Sequence, residues 1–215
     1  MTRRSAGYWR RSAVRLLLAT RSPGKSRELH ALLSLAGVNV VDLREAGIPE
    51  SADEDALETA DTFEANALAK ARHFHRVSAL PTLADDSGLE VTALDGAPGV
   101  HSKRWSGRAD LRGQELDDAN NAMLLERLAG MADRSARYVC AAAYCSANVE
   151  AVERGETRGR IATAASGSNG FGYDPLFVSD ELASAFGEVP MAVKASVSHR
   201  ARAFAKLLRH IAPRG

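Results

Sequence analysis

The sequence has few cysteines, no excess of charge of either sign and no long apolar run, and each shortage closes a class of function. Its two cysteines, Cys140 and Cys145, lie at odd spacing and face opposite sides of a strand. That argues against a disulfide between them and suits a reducing cytoplasm, with both read as core fillers. No Cys/His spacing suggests zinc, so His73 and His75 read as surface histidines. Lys and Arg number 28 against 27 Asp and Glu, a formal charge of +1, so no general polyanion surface is implied and any phosphate binding must be local. The apolar run Val14 to Ala19 is too short for a membrane span, and no signal-peptide cleavage pattern follows it. Neither a membrane nor a nucleic-acid partner is expected. Residues 1–12 carry Arg3, Arg4, Arg10 and Arg11 without an acid and read as a disordered basic extension. At 215 residues, 45% hydrophobic and 26% charged, residues 13–215 can bury a core as one globular domain with room for two lobes.

What is present centres on Leu83-Ala84-Asp85-Asp86-Ser87-Gly88-Leu89-Glu90-Val91, where two carboxylates and a hydroxyl end an apolar run. Adjacent side chains on an extended chain point to opposite faces, so Asp85 and Asp86 cannot both look into one cleft. One is expected to do chemistry and the other to support it. The competing reading is a solvated turn, since Asp, Ser and Gly are all turn residues.

Upstream, Val14–Ala19 reads as a buried strand, Thr20-Arg21-Ser22-Pro23-Gly24-Lys25-Ser26 as a loop, and residues 28–35 as a helix closed by Gly37. Backbone N–H groups at such a helix start favour anions, and Lys25 adds a mobile charge that can follow a phosphate. The same stretch approaches a P-loop, but Ala19 stands where a glycine normally lets the backbone wrap a phosphate. Residues 38–43 suggest a second strand. After the acidic stretch Glu50–Glu58, Asp61 is read as the cap of a helix reaching about His75, with Phe63, Ala67, Ala71 and Phe74 inward. Asn66 and Lys70, four apart, can reach one site together. Further on, residues 118–128 read as a helix, and residues 137–145 and 150–154 as strands. Mixed strands and helices in this order give an α/β or α+β domain. The glycine-rich stretch from Ser166 to Pro175 presents Phe171 and Tyr173 on a flexible loop, where an aromatic can stack on a flat ring. In the last helix, Ser198 is the expected cap, leaving His199 and Arg200 in a first turn whose dipole they oppose unless an anion or acceptor is near.

Six motifs in register carry a resemblance: Thr20-x-Ser22-x-x-Lys25; Glu58-Thr59-x-x-Thr62-Phe63-x-x-Asn66-Ala67-x-x-Lys70-Ala71; Ala84-Asp85-Asp86-Ser87-Gly88-Leu89; Gly96-Ala97-Pro98-Gly99; Gly170-Phe171-Gly172-Tyr173-Asp174-Pro175; and Ser198-His199-Arg200. In order and spacing the chain from Leu16 to Ile211 resembles the inosine/xanthosine triphosphate pyrophosphatase family of HAM1/RdgB type. The resemblance implies an α/β fold, a mixed twisted sheet with flanking helices and two lobes around a central nucleotide-binding cleft. It also implies a homodimer and Mg²⁺-dependent hydrolysis of deaminated purine nucleoside triphosphates (ITP, dITP, XTP) to monophosphate and pyrophosphate.

Carried across by residue, the resemblance makes Asp86 the proton acceptor and a magnesium ligand, Glu58 a second metal contact and Ser87 a substrate contact. Thr20, Arg21, Ser22, Pro23, Gly24, Lys25 and Lys70 would hold the triphosphate. Phe171, Gly172, Tyr173, Asp174, Lys194, Ser198, His199 and Arg200 would hold base and sugar. Ser22 replaces a usual asparagine, Ala60 a usual glycine, and Ala65 and Val193 usual acids. A carboxylate of ordinary pKa is a weak base, so Asp86 is expected to orient water and hold metal more than to abstract a proton. The alternatives are a P-loop-type NTPase and a non-catalytic nucleotide sensor.

Overall fold

The structure is a computed structural model that describes residues 15–211. The basic extension and Val14 lie outside the described residues. In order come β1 (Leu16–Ala19), α1 (Pro23–Leu35), β2 (Val40–Asp42), α2 (Phe63–Ser78), β3 (Thr82–Val91) and α3 (Gly113–Arg127). They are followed by β4 (Ser135–Cys145), β5 (Glu150–Ile161), β6 (Phe177–Ser179), β7 (Ser184–Ala185), α4 (Met191–Val197) and α5 (His199–Ile211). The strands form a mixed sheet in the order β2-β1-β3-β4-β5-β6-β7. Pairing is parallel where β1 meets β2 and β3, and antiparallel where β6 meets β5 and β7. This is the α/β class expected. No described helix is long and apolar enough to cross a membrane.

The chain divides into two compact units. The first contains the chain through Asp86, Ala141–Arg154 and the chain from Ala203; the second contains Ser87–Cys140 and Gly155–Arg202.

In the first unit every residue of β1 is buried, as a parallel strand covered on both faces requires. Helix α1 starts earlier than the sequence suggests, so Pro23 to Ser26 form its first turn rather than a loop. The cause is local: Ser22 is the N-cap, its Oγ accepting from Lys25 N at 3.4 Å, and Pro23 sits at the first helical position where no N–H is needed. Helix α2 is capped by Thr62, which accepts from Ala65 N at 3.2 Å, and not by Asp61. It buries Phe63, Ala67, Ala71 and Phe74 as expected, and Asn66 with them. Strand β3 runs unbroken through Asp85, Asp86, Ser87 and Gly88, so the acids do not end it. Asp85 is 1% and Asp86 6% exposed, which removes the solvated-turn reading.

In the second unit Leu89, Val91, Leu124, Leu128, Tyr138, Ile161, Leu176, Phe177 and Phe186 belong to one buried cluster. Residues 155–161, read as following a strand, continue β5 instead. Gly159 explains the weak strand signal there. A Cβ at Gly159 would run into the Val178 carbonyl and come within 2.8 Å of the Phe177 ring, so the β5–β6 pairing admits no side chain. The variant Gly159→Ala should therefore lose about 1–3 kcal/mol of stability, as overpacked sites do. Urea denaturation measures it, and an unchanged midpoint would mean that β6 moves aside freely.

Candidate functional site

Each unit carries one set of polar residues. In the first, the two carboxylates of β3 take separate partners, as alternation along a strand predicts. Asp85 Oδ2 meets Lys25 Nζ of α1 at 3.2 Å, with the Asp85 side chain fully buried and that of Lys25 16% exposed. Asp86 Oδ2 accepts from Asn66 Nδ2 of α2 at 3.1 Å. One turn along α2, Lys70 Nζ donates to the Asp85 carbonyl at 2.7 Å and pairs with the Glu58 carboxylate. Asn66 also exchanges two bonds with the Ala60 backbone, accepting from its N–H at 2.9 Å and donating to its carbonyl at 3.2 Å. The segment that carries Glu58 is thus tied to the helix that holds Asp86.

Burial pushes the Asp86 pKa up; Lys25 and Lys70 oppose that shift, Glu58 adds to it, and the Asn66 hydrogen bond opposes it. The sequence reading gave Asp86 an ordinary carboxylate that orients water and holds metal more than it abstracts a proton. The structure differs in the environment: losing water destabilises the charged form of the Asp86 carboxyl and shifts its pKa upward from the ordinary range.

Not every expected phosphate contact is placed alike. Thr20 Oγ1 accepts from Ser22 N at 3.2 Å, and Ser22 Oγ caps α1, so each hydroxyl keeps an O–H to donate. Gly24 is buried and Pro23 lacks an N–H. Arg21 is committed to protein. Its Nε and Nη2 form a fork on Glu54 at 2.9 and 2.7 Å, while Nη1 reaches the Ile48 carbonyl at 3.0 Å and Nη2 the Pro49 carbonyl at 2.7 Å. Its guanidinium also lies 5.8 Å from the centre of the Phe74 ring. Arg21 therefore fixes the turn ahead of Glu58 rather than offering its charge outward.

In the second unit Ser87 Oγ accepts from Arg200 Nη2 at 2.9 Å. Arg200 Cζ lies 5.6 Å and Lys194 Nζ 5.1 Å from the centre of the Phe171 ring, close enough for cation–π attraction. Lys194 and Asp174 form a buried ion pair at 2.5 Å. The Asp174 carboxylate also accepts from Phe171 N at 2.9 Å, which anchors the aromatic's backbone. Ser198 caps α5, accepting from Ala201 N at 3.1 Å, as its position predicts. The His199 ring stacks on Tyr138 with centroids 4.6 Å apart. Tyr173 is a core residue: its hydroxyl donates to the Ser102 carbonyl at 2.8 Å, and burial pushes its pKa up.

Sequence reasoning missed four residues. Asn66 was visible beside Lys70 but left out of the site, although a buried amide on an apolar helix face is itself a signal. Glu54, Asp117 and Asn121 gave no signal, because their partners lie 33, 55 and 51 residues away.

The profile describing the Ham1 family matches residues 16–210. A dITP/XTP pyrophosphatase of Ralstonia nicotianae is 44% identical over 200 residues, which span 92% of this chain and 96% of that relative. One from Mycolicibacterium paratuberculosis is 47% identical over 197 residues, 90% and 93% of the two chains. Among solved structures, a HAM1 protein from Coxiella burnetii matches with a TM-score of 0.77 at 33% identity, covering 92% of this chain and 98% of that one. A nucleoside-triphosphatase / dITP/XTP pyrophosphatase from Mycobacterium abscessus matches with 0.68 at 40% identity, covering 92% and 99%.

The Arg21 fork makes a pH-dependent prediction. Its hydrogen bonds hold the Glu54 carboxyl below the usual glutamate range, with burial opposing. A depressed folded-state pKa adds stability above the unfolded value, about 4.3 for glutamate, and that stability is lost as pH falls through the lowered value. Glu54→Gln should thus cost about 1.5–3 kcal/mol at neutral pH, the range for charged hydrogen bonds. Below about pH 4 the gap from the parent should shrink. Urea titrations at both pH values measure this, and a gap independent of pH would assign the cost to packing.

Proposed function

The chain belongs to the Ham1 family, and from that premise we propose that it hydrolyses deaminated purine nucleoside triphosphates, ITP, dITP and XTP, to the monophosphate and pyrophosphate. The observation that carries the reading is the buried carboxylate of Asp86, its pKa raised by burial, held by Asn66 and acted on by the charges of Lys25 and Lys70. Cleaving the α–β phosphoanhydride needs a water to be oriented and relieved of a proton while negative charge on phosphate is neutralised. Asp86 takes the proton at its carboxylate. Lys25 and Lys70 supply positive charge, and Thr20 and Ser22 supply hydroxyl donors.

A divalent cation suits the same residues. Asp86 and Glu58 are hard oxygen donors, and among the described residues no group of three or more Asp, Glu, His or Cys could form an all-protein cage. Two carboxylates are what Mg²⁺ takes when waters and substrate phosphates complete its shell. When bound, it would neutralise phosphate charge. The resemblance carries a homodimer within the same proposal and the cysteine usage a cytoplasmic setting, and light scattering tests the first.

Phe171, Lys194 and Arg200 support recognition of the base. An aromatic face stacks on any base, so choice has to come from hydrogen bonds. An arginine fork donates to the O6 and N7 acceptors of a 6-oxo purine, where adenine presents an amino donor. The P-loop alternative fits poorly, because Thr20, Arg21 and Ser22 alone separate β1 from α1, too short a loop to wrap a phosphate.

Product analysis of an ITP digest tests the reaction: inosine monophosphate and pyrophosphate are expected, while diphosphate with orthophosphate would overturn the proposal. Binding without any product would favour the nucleotide sensor. Asp86→Asn keeps shape but removes charge, so turnover should fall about 10²–10⁴-fold in a protein that still folds. Near-normal turnover would move the role to Asp85. Arg200→Ala should narrow the preference for ITP over ATP by about tenfold to a hundredfold, the worth of one bidentate contact. Equal losses on both substrates would assign Arg200 to the phosphates or the fold.

A further inference from the structure

The stretch around Phe171 is glycine-rich, yet it is not loose. Phe171 N donates to Asp174 Oδ2 at 2.9 Å, and the Phe171 carbonyl accepts from Asp174 N at 3.3 Å. The next residue is held from elsewhere. Gly172 N donates to Asp117 Oδ2 at 2.7 Å, and the Gly172 carbonyl accepts from Asn121 Nδ2 at 3.0 Å. Asp117 and Asn121 are one helical turn apart on α3, so a single rigid element grips both backbone groups of one residue. Every backbone donor and acceptor of the Phe171–Gly172 pair is therefore engaged. The glycines serve the same end: Gly172 has φ +62°, which disfavours a side chain, and a Cβ at Gly170 would collide with the Asp174 carboxylate.

This grip is not the cheapest way to close a loop. Asn121 is 9% exposed, and its Oδ1 is buried with no hydrogen-bond partner among the described residues. Such an unmet acceptor works against stability. Asp117 is half-buried, and burial pushes its pKa up while the Gly172 N–H bond pulls it down. What the pair provides is a defined place for Phe171, whose ring lies near the Lys194 and Arg200 cations.

We propose that Asp117 and Asn121 are positioning residues that set the Phe171 ring for a purine base by clamping the Gly172 backbone. Neither side chain needs to touch substrate. The inference rests on the nucleotide reading above and deepens it, since rigid presentation of an aromatic reduces the ordering cost of stacking.

The test uses the full-length chain with ITP. Asn121→Asp is nearly isosteric but turns the donor toward Gly172 O into an acceptor; Asp117→Ala removes the acceptor for Gly172 N; Asp117→Asn keeps one. The first two should raise KM for ITP on the order of tenfold with kcat little changed, as loss of positioning would, on top of whatever thermal stability the lost hydrogen bonds take away. Asp117→Asn should restore KM to within about threefold of the parent. The double variant Asp117→Ala/Asn121→Asp should cost less than the sum of the singles, because both act on Gly172. Should Asp117→Ala fail to fold, Asn121→Asp decides alone. Folded variants that keep the parental KM, or that lose only thermal stability, would overturn the clamp while leaving the activity standing. A parent chain that hydrolyses no nucleoside triphosphate would overturn both.

Discussion

A strand that carries two adjacent carboxylates through a buried stretch can persist only if each is compensated, and much of the first unit's polar architecture follows from that need. An isolated buried carboxylate is costly in a low-dielectric interior, and hydrogen bonds or opposite charges must offset the lost hydration. Asp85 is met by Lys25 and Asp86 by Asn66, and Lys70 reaches both the Asp85 carbonyl and Glu58. For Asp86 burial outweighs the two nearby ammonium groups, and its pKa stays above the ordinary value. Full pairing would instead hold the carboxyl at or below its ordinary range, as the Arg21 fork does for Glu54.

The second unit answers a different constraint. A glycine-flanked aromatic that is only partly buried needs its backbone groups satisfied to keep one conformation. Glycines alone allow the needed turn but do not hold it, and the holding comes from side chains: Asp174 on Phe171, Asp117 and Asn121 on Gly172. Helix α3 repeats the device nearby, where Asn120 accepts from Ser106 N at 2.8 Å and donates to the Lys103 carbonyl at 3.1 Å. With Tyr173 bonded to Ser102, the polar face of α3 and the loops around it behave as one hydrogen-bonded scaffold.

Local chemistry accounts for what the sequence made legible. Periodicity placed β1, the inward face of α2 and the cap of α5, because each depends on residues within one or two turns. The same reasoning erred by one residue at Thr62, where competing caps stood side by side, and by more than a turn at Pro23. It also expected Asp85 and Asp86 to end a strand that runs on to Val91. Propensity prices a carboxylate as a turn former, whereas Lys25, Asn66 and Lys70 arrive from other elements and change that price. Arg21 was assigned to the triphosphate by the resemblance alone, and its partner in the structure, Glu54, lies 33 residues away, where no local pattern points to it.

The expectation of a mobile lysine following a phosphate now needs a different physical form. Lys25 and Lys70 are each tied to a carboxylate, and Lys194 sits in a buried pair with Asp174. A free lysine side chain gives up on the order of 2 kcal/mol of rotamer entropy when it is fixed on a ligand. Here that loss is met during folding, because a carboxylate already fixes each ammonium group. A formal charge of +1 over the whole sequence gives no large net charge to attract polyanions at random. Positive charge is thus placed by named carboxylates at a few points, although the sequence as a whole is close to neutral.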